Sequence, residues 1–189
     1  MFILLTLTTD EIADKNTRIE SLLMEMANGE KSAVGALYDL IRTDVFAFAL
    51  SKTRNKFDAE DITQDTFVQI YKKAKLYTPK GKPMAWIITM ELNIIRRQFQ
   101  LKSRYSSFEE DIERETACAS FENGVINNEF LRELMKTLTE EEREIVVLHV
   151  VSGFKHREIA KLLNKPLSTV LSKYNRAIKK LQAVVVEGE

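Results

Sequence analysis

Asp61 and Asp65 stand four residues apart, and Gln64 lies three after Asp61, so a helix would carry all three on one face. Paired carboxylates can hold a divalent metal. A Mg²⁺ site, however, draws ligands from several elements and keeps waters, and the sequence offers no second acidic helix or His pair to complete one. The same face can dock a partner rich in Arg and Lys. It can also be a solvated helix front, its acids favoured by the dipole at the N-terminal end. The residues alone leave these readings open, and a metal-dependent nuclease using Asp58, Asp61 and Asp65 is the enzymatic form of the first.

A second set lies near the C-terminus, in GFKHREIAKLLNKPLSTVLSKYNRAIKKL. Ile159, Ala160 and Leu163 supply the apolar face of one helix. Asn164, Lys165 and Pro166 end it, since Asn tolerates a left-handed turn and Pro disfavours helix at the residue before it. Ser168 is placed to cap the next helix. There Val170, Tyr174, Ala177 and Leu181 form one stripe, at spacings of four, three and four, while Ser172, Asn175, Arg176 and Lys179 form another. The first stripe packs. The second offers phosphate binders beside donors and acceptors for base edges. The pattern is that of a helix-turn-helix for the DNA major groove, weighed against a basic amphipathic helix that is merely solvated.

The elements that must position these groups read as helices. Gly and Pro number six and three in 189 residues, which favours an all-α fold. The pattern predicts helices over about 17–28, ended by Gly29, and over 32–57 as one or two pieces, with Leu37, Leu40, Ile41, Val45, Phe48 and Ala49 as a stripe. A third covers 59–76, with Phe67, Ile70 and Ala74 inward and Ile62 and Tyr71 beside them. Tyr77–Pro83 is a loop dense in breakers and base. A fourth helix runs from 84 to about 101, with Trp86, Ile87, Met90, Ile94 and Ile95 as core. Residues 103–128 lose periodicity and carry an acidic run, so they read as a flexible linker. A last helical unit begins near Ile126, and Thr139 with Glu142 forms a capping box for a helix to about Ser152. His149 is expected packed or half-buried, and His156 either exposed or on phosphate.

Charge follows the same division. The net is −3 over residues 1–28, +6 over 29–104, −6 over 105–130 and +3 over 131–189. Overall neutrality implies modest free affinity for DNA, because phosphate binding scales with the bases presented on one surface. A partner would then be needed for tight binding. The single Cys118 suits a reducing cytoplasm and reads as a bystander thiol. The apolar Met1–Leu7 is too short to span a membrane and lacks the basic start of a signal peptide.

Taken together, the segments resemble a known family. DAEDITQDTFVQIYKKA resembles the helix by which bacterial sigma factors dock on the clamp helices of the largest subunit of RNA polymerase. KGKPMAWIITMELNIIRRQ is similar to the helix that melts and reads the minus-ten promoter element. TLTEEEREIVVLHVVSGFKHREIAKLLNKPLSTVLSKYNRAIKKL resembles the domain that reads the minus-thirty-five element. Two domains with a short linker look like the extracytoplasmic-function group of the sigma-70 family. The resemblance implies a tail over 1–18, a region 2-like domain over 19–102, a linker over 103–128 and a region 4-like domain over 129–184.

Carried over by position, the resemblance makes docking on core polymerase the favoured role of Asp61, Gln64 and Asp65. It assigns Asn93 to an extruded minus-ten base and Arg96 and Arg97 to the DNA backbone. Lys80 and Lys82 would charge the loop around that base. Ser172, Lys173, Asn175, Arg176 and Lys179 would face the minus-thirty-five duplex. Trp86 matches a family tryptophan and is expected mainly in the core. Thr89, Glu91 and Leu92 depart from the family's Arg or Ala. The acid at Glu91 is expected to weaken the electrostatics of its helix, and Leu171 replaces a DNA-gripping base. No catalytic activity, metal or cofactor is implied. The implied setting is cytoplasmic, the partners are core polymerase and promoter DNA, and an anti-sigma partner is plausible. The acidic linker reads as a nucleic-acid mimic or as a solvated tether. The rival reading is a free-standing helix-turn-helix regulator that binds duplex operators as a dimer.

Overall fold

The computed structural model describes residues 9–105 and 136–187. They belong to two compact units, and every regular element among them is helical. The tail over residues 1–7, most of the acidic linker, Cys118 and the helix start near Ile126 lie outside the described residues.

The first unit packs four helices: α1 (Thr9–Ala27), α2 (Ser32–Thr53), α3 (Lys56–Lys73) and α4 (Pro83–Tyr105), with a short 3-10 turn at Ala74–Leu76 after α3. Helix α1 begins eight residues before the predicted start, inside the expected tail, and α4 continues three residues into the expected linker. Gly29 ends α1 at φ 97°, a conformation open to Gly at little cost. The predicted span 32–57 breaks at Arg54, whose φ is 55°; Asn55 then caps α3 by accepting from the Asp58 N–H at 3.1 Å.

The core of this unit is built from one stripe per helix. Ile19, Leu22 and Leu23 of α1 meet Leu37, Ile41, Val45 and Phe48 of α2, Ile62 and Ile70 of α3, and Ile87, Ile88 and Ile95 of α4, all essentially without solvent contact. Burying each such side chain contributes about 1.5–3 kcal/mol relative to exposure. Thr63 and Thr66 are buried on α3, where their hydroxyls donate to carbonyls one turn back, so their polarity is met within the helix.

Two acids share this interior. Asp44 is buried beside Lys15, whose ammonium lies 2.8 Å from its carboxylate. Burial raises the Asp44 carboxyl's pKa, with Lys15 opposing. Glu91 is 0 % exposed, and neither carboxyl oxygen has a hydrogen-bond partner. Burial pushes its pKa well up, with the Ala49 backbone opposing and the Asp44 charge adding to the rise. This corrects the sequence reading of Glu91 as a surface acid. It is a buried side chain whose desolvation favours the protonated form, and it lies off the outer face of α4. Leu92 is buried too.

The second unit holds α5 (Glu140–Val146), which passes into a wider π turn at Val147–Val151, then α6 (His156–Leu162) and α7 (Leu167–Glu187). Thr139 and Glu142 form the predicted capping box: the Thr139 hydroxyl accepts from the Glu142 N–H at 3.3 Å, and Glu142 accepts from the Thr139 N–H at 2.9 Å. Leu138, Val146 and Ala177 are buried together, with Val150, Tyr174 and Leu181 packed against them. The turn between α6 and α7 forms as expected, with Asn164 left-handed at φ 52° and the Lys165 N–H donating to the Ala160 carbonyl at 2.9 Å. Ser168 does not cap α7. The helix starts at Leu167, and Val170 donates to the Pro166 carbonyl, so Ser168 sits inside the first turn.

Candidate functional site

Helix α3 turns Ala59, Ile62, Thr66 and Ile70 inward, which fixes what faces out. Phe57, Asp61, Gln64, Val68 and Tyr71, spaced four, three, four and three, form one exposed stripe with Asp65 beside it. The predicted trio Asp61, Gln64 and Asp65 thus shares a face, as its spacing required. Phe57 is 66 % exposed, Tyr71 51 % and Val68 46 %. Tyr71 had been expected beside the core; its phase carries it to the outer side. Carboxylates interleaved with large apolar groups on one rigid helix suit a protein surface that offers both cations and greasy side chains. Among the described residues no three His, Cys, Asp or Glu side chains converge on a common point.

A second face lies on α4. Met84, Ile87, Ile88, Glu91 and Ile95 point inward, leaving Thr89, Asn93, Arg96 and Arg97 exposed. Asn93 and Arg96 follow Thr89 at spacings of four and three, so an amide and guanidinium groups line one side of the helix. The loop before α4 carries Lys80 and Lys82, both exposed. Trp86 is half-buried rather than core, its ring 5.1 Å from that of Tyr77.

One residue that sequence reasoning missed organises this loop. Glu20 of α1 accepts hydrogen bonds on one oxygen from the Tyr77 hydroxyl, the Lys80 N–H at 3.1 Å and the Gly81 N–H at 2.9 Å. The Tyr77 hydroxyl and the two N–H groups hold the Glu20 carboxyl below the ordinary range, against a smaller effect of burial. The Tyr77 phenol is pushed up, by burial first and Glu20 second. No local pattern links residues about 60 positions apart, so no motif could have shown this contact.

The third face is α7. Val170, Tyr174 and Ala177 pack, with Leu181 half-buried in line, while Ser172, Asn175, Arg176 and Lys179 are exposed. Both predicted stripes are present. Lys173 differs from its neighbours because its ammonium pairs with Glu141 of α5. Lys165 in the turn also reaches Glu141, at 2.6 Å. Hydrogen bonds from Lys165 and then Lys173 hold the Glu141 carboxyl down to about 2. Lys173 therefore brings less free charge to this face than the sequence implied.

His149 and His156 come together under α7. The rings lie 4.2 Å apart, and Tyr174 meets both edge-on at 4.9 and 4.6 Å. His149 Nδ1 lies 2.7 Å from the Phe154 carbonyl, and since a carbonyl only accepts, that nitrogen carries the proton. His156 Nε2 is buried without a hydrogen-bond partner. Burial, then the neighbouring His149, lowers its pKa. His156 is thus half-buried against His149 and Tyr174 rather than plainly exposed.

Comparison with known proteins bears on both units. Residues 37–105 match the family described as Sigma-70 region 2, and residues 130–181 match Sigma-70, region 4. The chain is 26% identical over 174 residues to the ECF RNA polymerase sigma factor SigK of Mycobacterium ulcerans, covering 87% of this chain and 91% of that one. Its fold is similar to that of the sigma factor RpoE solved in complex with the anti-sigma factor NepR from Bartonella quintana. There the TM-score is 0.66 at 22% identity, over 80% of this chain and 95% of the other. It is also similar to CnrH in complex with the cytosolic domain of CnrY, with a TM-score of 0.60 at 21% identity over 91% and 99% of the two chains.

Proposed function

The chain belongs to the extracytoplasmic-function group of the sigma-70 family, and from that premise we propose how its three exposed faces divide the work of a sigma factor. A sigma factor has no catalytic activity of its own. It binds core RNA polymerase and directs promoter recognition, DNA melting and initiation.

The α3 face docks on the clamp helices of the largest polymerase subunit. Asp61 and Asp65 meet cationic groups there, and Gln64, Phe57, Val68 and Tyr71 fill the contact between them. The observation that carries this reading is the outward stripe of acids and apolar side chains on a helix whose other side is locked in the core. The α4 face and its loop work on the minus-ten element. Asn93 can donate to and accept from an unstacked base, Arg96 and Arg97 hold the backbone, and Lys80 and Lys82 charge the loop. Capture of that base offsets part of the melting cost, about 1.4 kcal/mol per base-pair step. The burial of Glu91 supports this role, since it removes the one acid that would have repelled phosphate.

Ser172, Asn175, Arg176 and Lys179 of α7 read the minus-thirty-five duplex, with Lys173 contributing what Glu141 leaves free. We assign the minus-ten domain to residues 9–105 and the minus-thirty-five domain to about 129–184, joined by the acidic segment. Two weak DNA contacts on one frame gain through effective concentration. The place of action is the cytoplasm, where the polymerase is, and no helix among the described residues is long and apolar enough to cross a membrane. Two similar proteins were solved in complex with another protein, one of these an anti-sigma factor, and we propose an anti-sigma partner for this chain.

Binding of the purified chain to core polymerase tests the docking assignment. Replacing Asp61→Lys and Asp65→Lys together is expected to abolish the complex while circular dichroism stays unchanged. A double variant that binds core normally would refute the assignment.

A further inference from the structure

We propose that Glu20 is a positioning residue for promoter reading, its carboxylate clamping the 77–82 loop in the shape that receives the minus-ten base. The inference rests on the reading of that loop given above. The loop has no regular structure between the 3-10 turn and α4, and such a segment is cheap to deform. Three donors from it nevertheless converge on one Glu20 oxygen: the Tyr77 hydroxyl, the Lys80 N–H and the Gly81 N–H. Adjacent N–H groups aimed at one point form an anion-binding nest. Here the chain's own carboxylate fills it, so those N–H groups are engaged within the protein and the loop's curvature is set before DNA arrives.

Gly81 adopts φ 66°, which suits the turn that brings its N–H to Glu20. The clamp is itself held. Ile19, Leu22 and Leu23, which flank Glu20 on α1, are fully buried, so its backbone cannot drift. The clamp also reaches α4, because Tyr77, anchored by Glu20, packs on Trp86, seven residues before Asn93. Lys80 and Lys82 are left pointing outward. A loop ordered in advance does not pay its ordering entropy when it captures a base.

The test uses full-length chain assembled with core polymerase. The template is a promoter the wild-type holoenzyme uses, with its minus-ten region randomised and the transcripts sequenced. Hydrogen bonds to a charged acceptor are strong enough that Glu20→Ala is expected to flatten preference at the most selective minus-ten position about tenfold. Glu20→Gln, which keeps an acceptor oxygen without the charge, is expected to lie between Glu20→Ala and wild type. Core affinity should not change, because Glu20 is not on the α3 face. Trp86 is the only tryptophan, so its emission reports the loop directly and should shift in Glu20→Ala. Lys80→Ala and Asn93→Ala run in parallel. If they flatten the preference while both Glu20 variants keep it, the loop reads without its clamp and the positioning role is wrong. If none of the four changes it, the minus-ten reading of the loop fails, and this inference fails with it. Should Glu20→Ala not fold, Glu20→Gln decides alone, and unchanged preference there overturns the proposal.

Discussion

Glu91 gives the sharpest thermodynamic prediction. Its carboxyl is fully buried, unpartnered and pushed well above its ordinary value of 4.5. The native state therefore keeps a proton that the unfolded chain releases once the pH exceeds that value. The contribution to stability is greatest below the unfolded pKa and is lost as pH rises toward the folded pKa, at about 1.4 kcal/mol per pH unit. Glu91→Gln keeps the size and removes the ionisation. At pH 5 the variant should nearly match wild type, and at pH 7 it should be the more stable. Glu91→Met also removes the unsatisfied polar group, so it should add a further 1–3 kcal/mol or so at both pH values. For a unit of this size each kcal/mol moves Tm by about 4–8 °C. Thermal unfolding followed by Trp86 fluorescence reads the correct unit. Asp44, also raised in pKa by burial, is present in every variant and cancels in the comparison. If wild type and Glu91→Gln share the same Tm from pH 5 to pH 7, the buried-acid argument is wrong. The holoenzyme's salt dependence on promoter DNA should be the same for Glu91→Gln and wild type, because a neutral side chain is replaced by another.

Other perturbations test the C-terminal unit. Arg176→Ala should weaken holoenzyme binding to minus-thirty-five DNA and reduce the slope of log affinity against log salt by about 0.9, if its guanidinium holds one phosphate; filter binding over a salt series measures it. Glu141→Gln should strengthen DNA binding and steepen the same slope, because Lys165 and Lys173 lose their internal partner. It should cost under about 1 kcal/mol of stability at neutral pH, since the trio is partly exposed. The Glu141 contribution is present above the ordinary value of 4.5 and is lost as pH falls toward about 2. His156, lowered from 6.5 by burial and by His149, stabilises the unit above pH 6.5 and loses that contribution as pH falls through its folded pKa. His156→Phe should flatten this dependence, measured by amide hydrogen exchange in α6 and α7 between pH 7.5 and 5.5.

The helical phase was legible wherever side-chain chemistry agreed with it. The stripes of α2 and α7, the left-handed Asn164 and the Thr139–Glu142 box all follow from spacing and residue type. Glu91 was misread because its chemistry was allowed to outweigh its phase. It sits four residues after Ile87 and four before Ile95, squarely on the buried stripe. Asp44, between Ile41 and Phe48, follows the same logic, with Lys15 as its partner. Tyr71 was misread in the opposite sense, as an aromatic ring assumed to be inward when its spacing from Gln64 and Val68 carried it out. The break at Arg54 was available in the capping character of Asn55. The Glu20 clamp, the Glu141 trio and the His149–His156–Tyr174 packing were not available, because each depends on how separate elements pack on one another.

Transcription by core polymerase on a genomic fragment library, with and without the purified chain, separates a promoter-selecting subunit from every other role. The chain is expected to join core enzyme and to yield transcripts from a defined set of start sites that are absent without it. If no complex forms with core and no start site depends on the chain, the assignment of all three faces is contradicted.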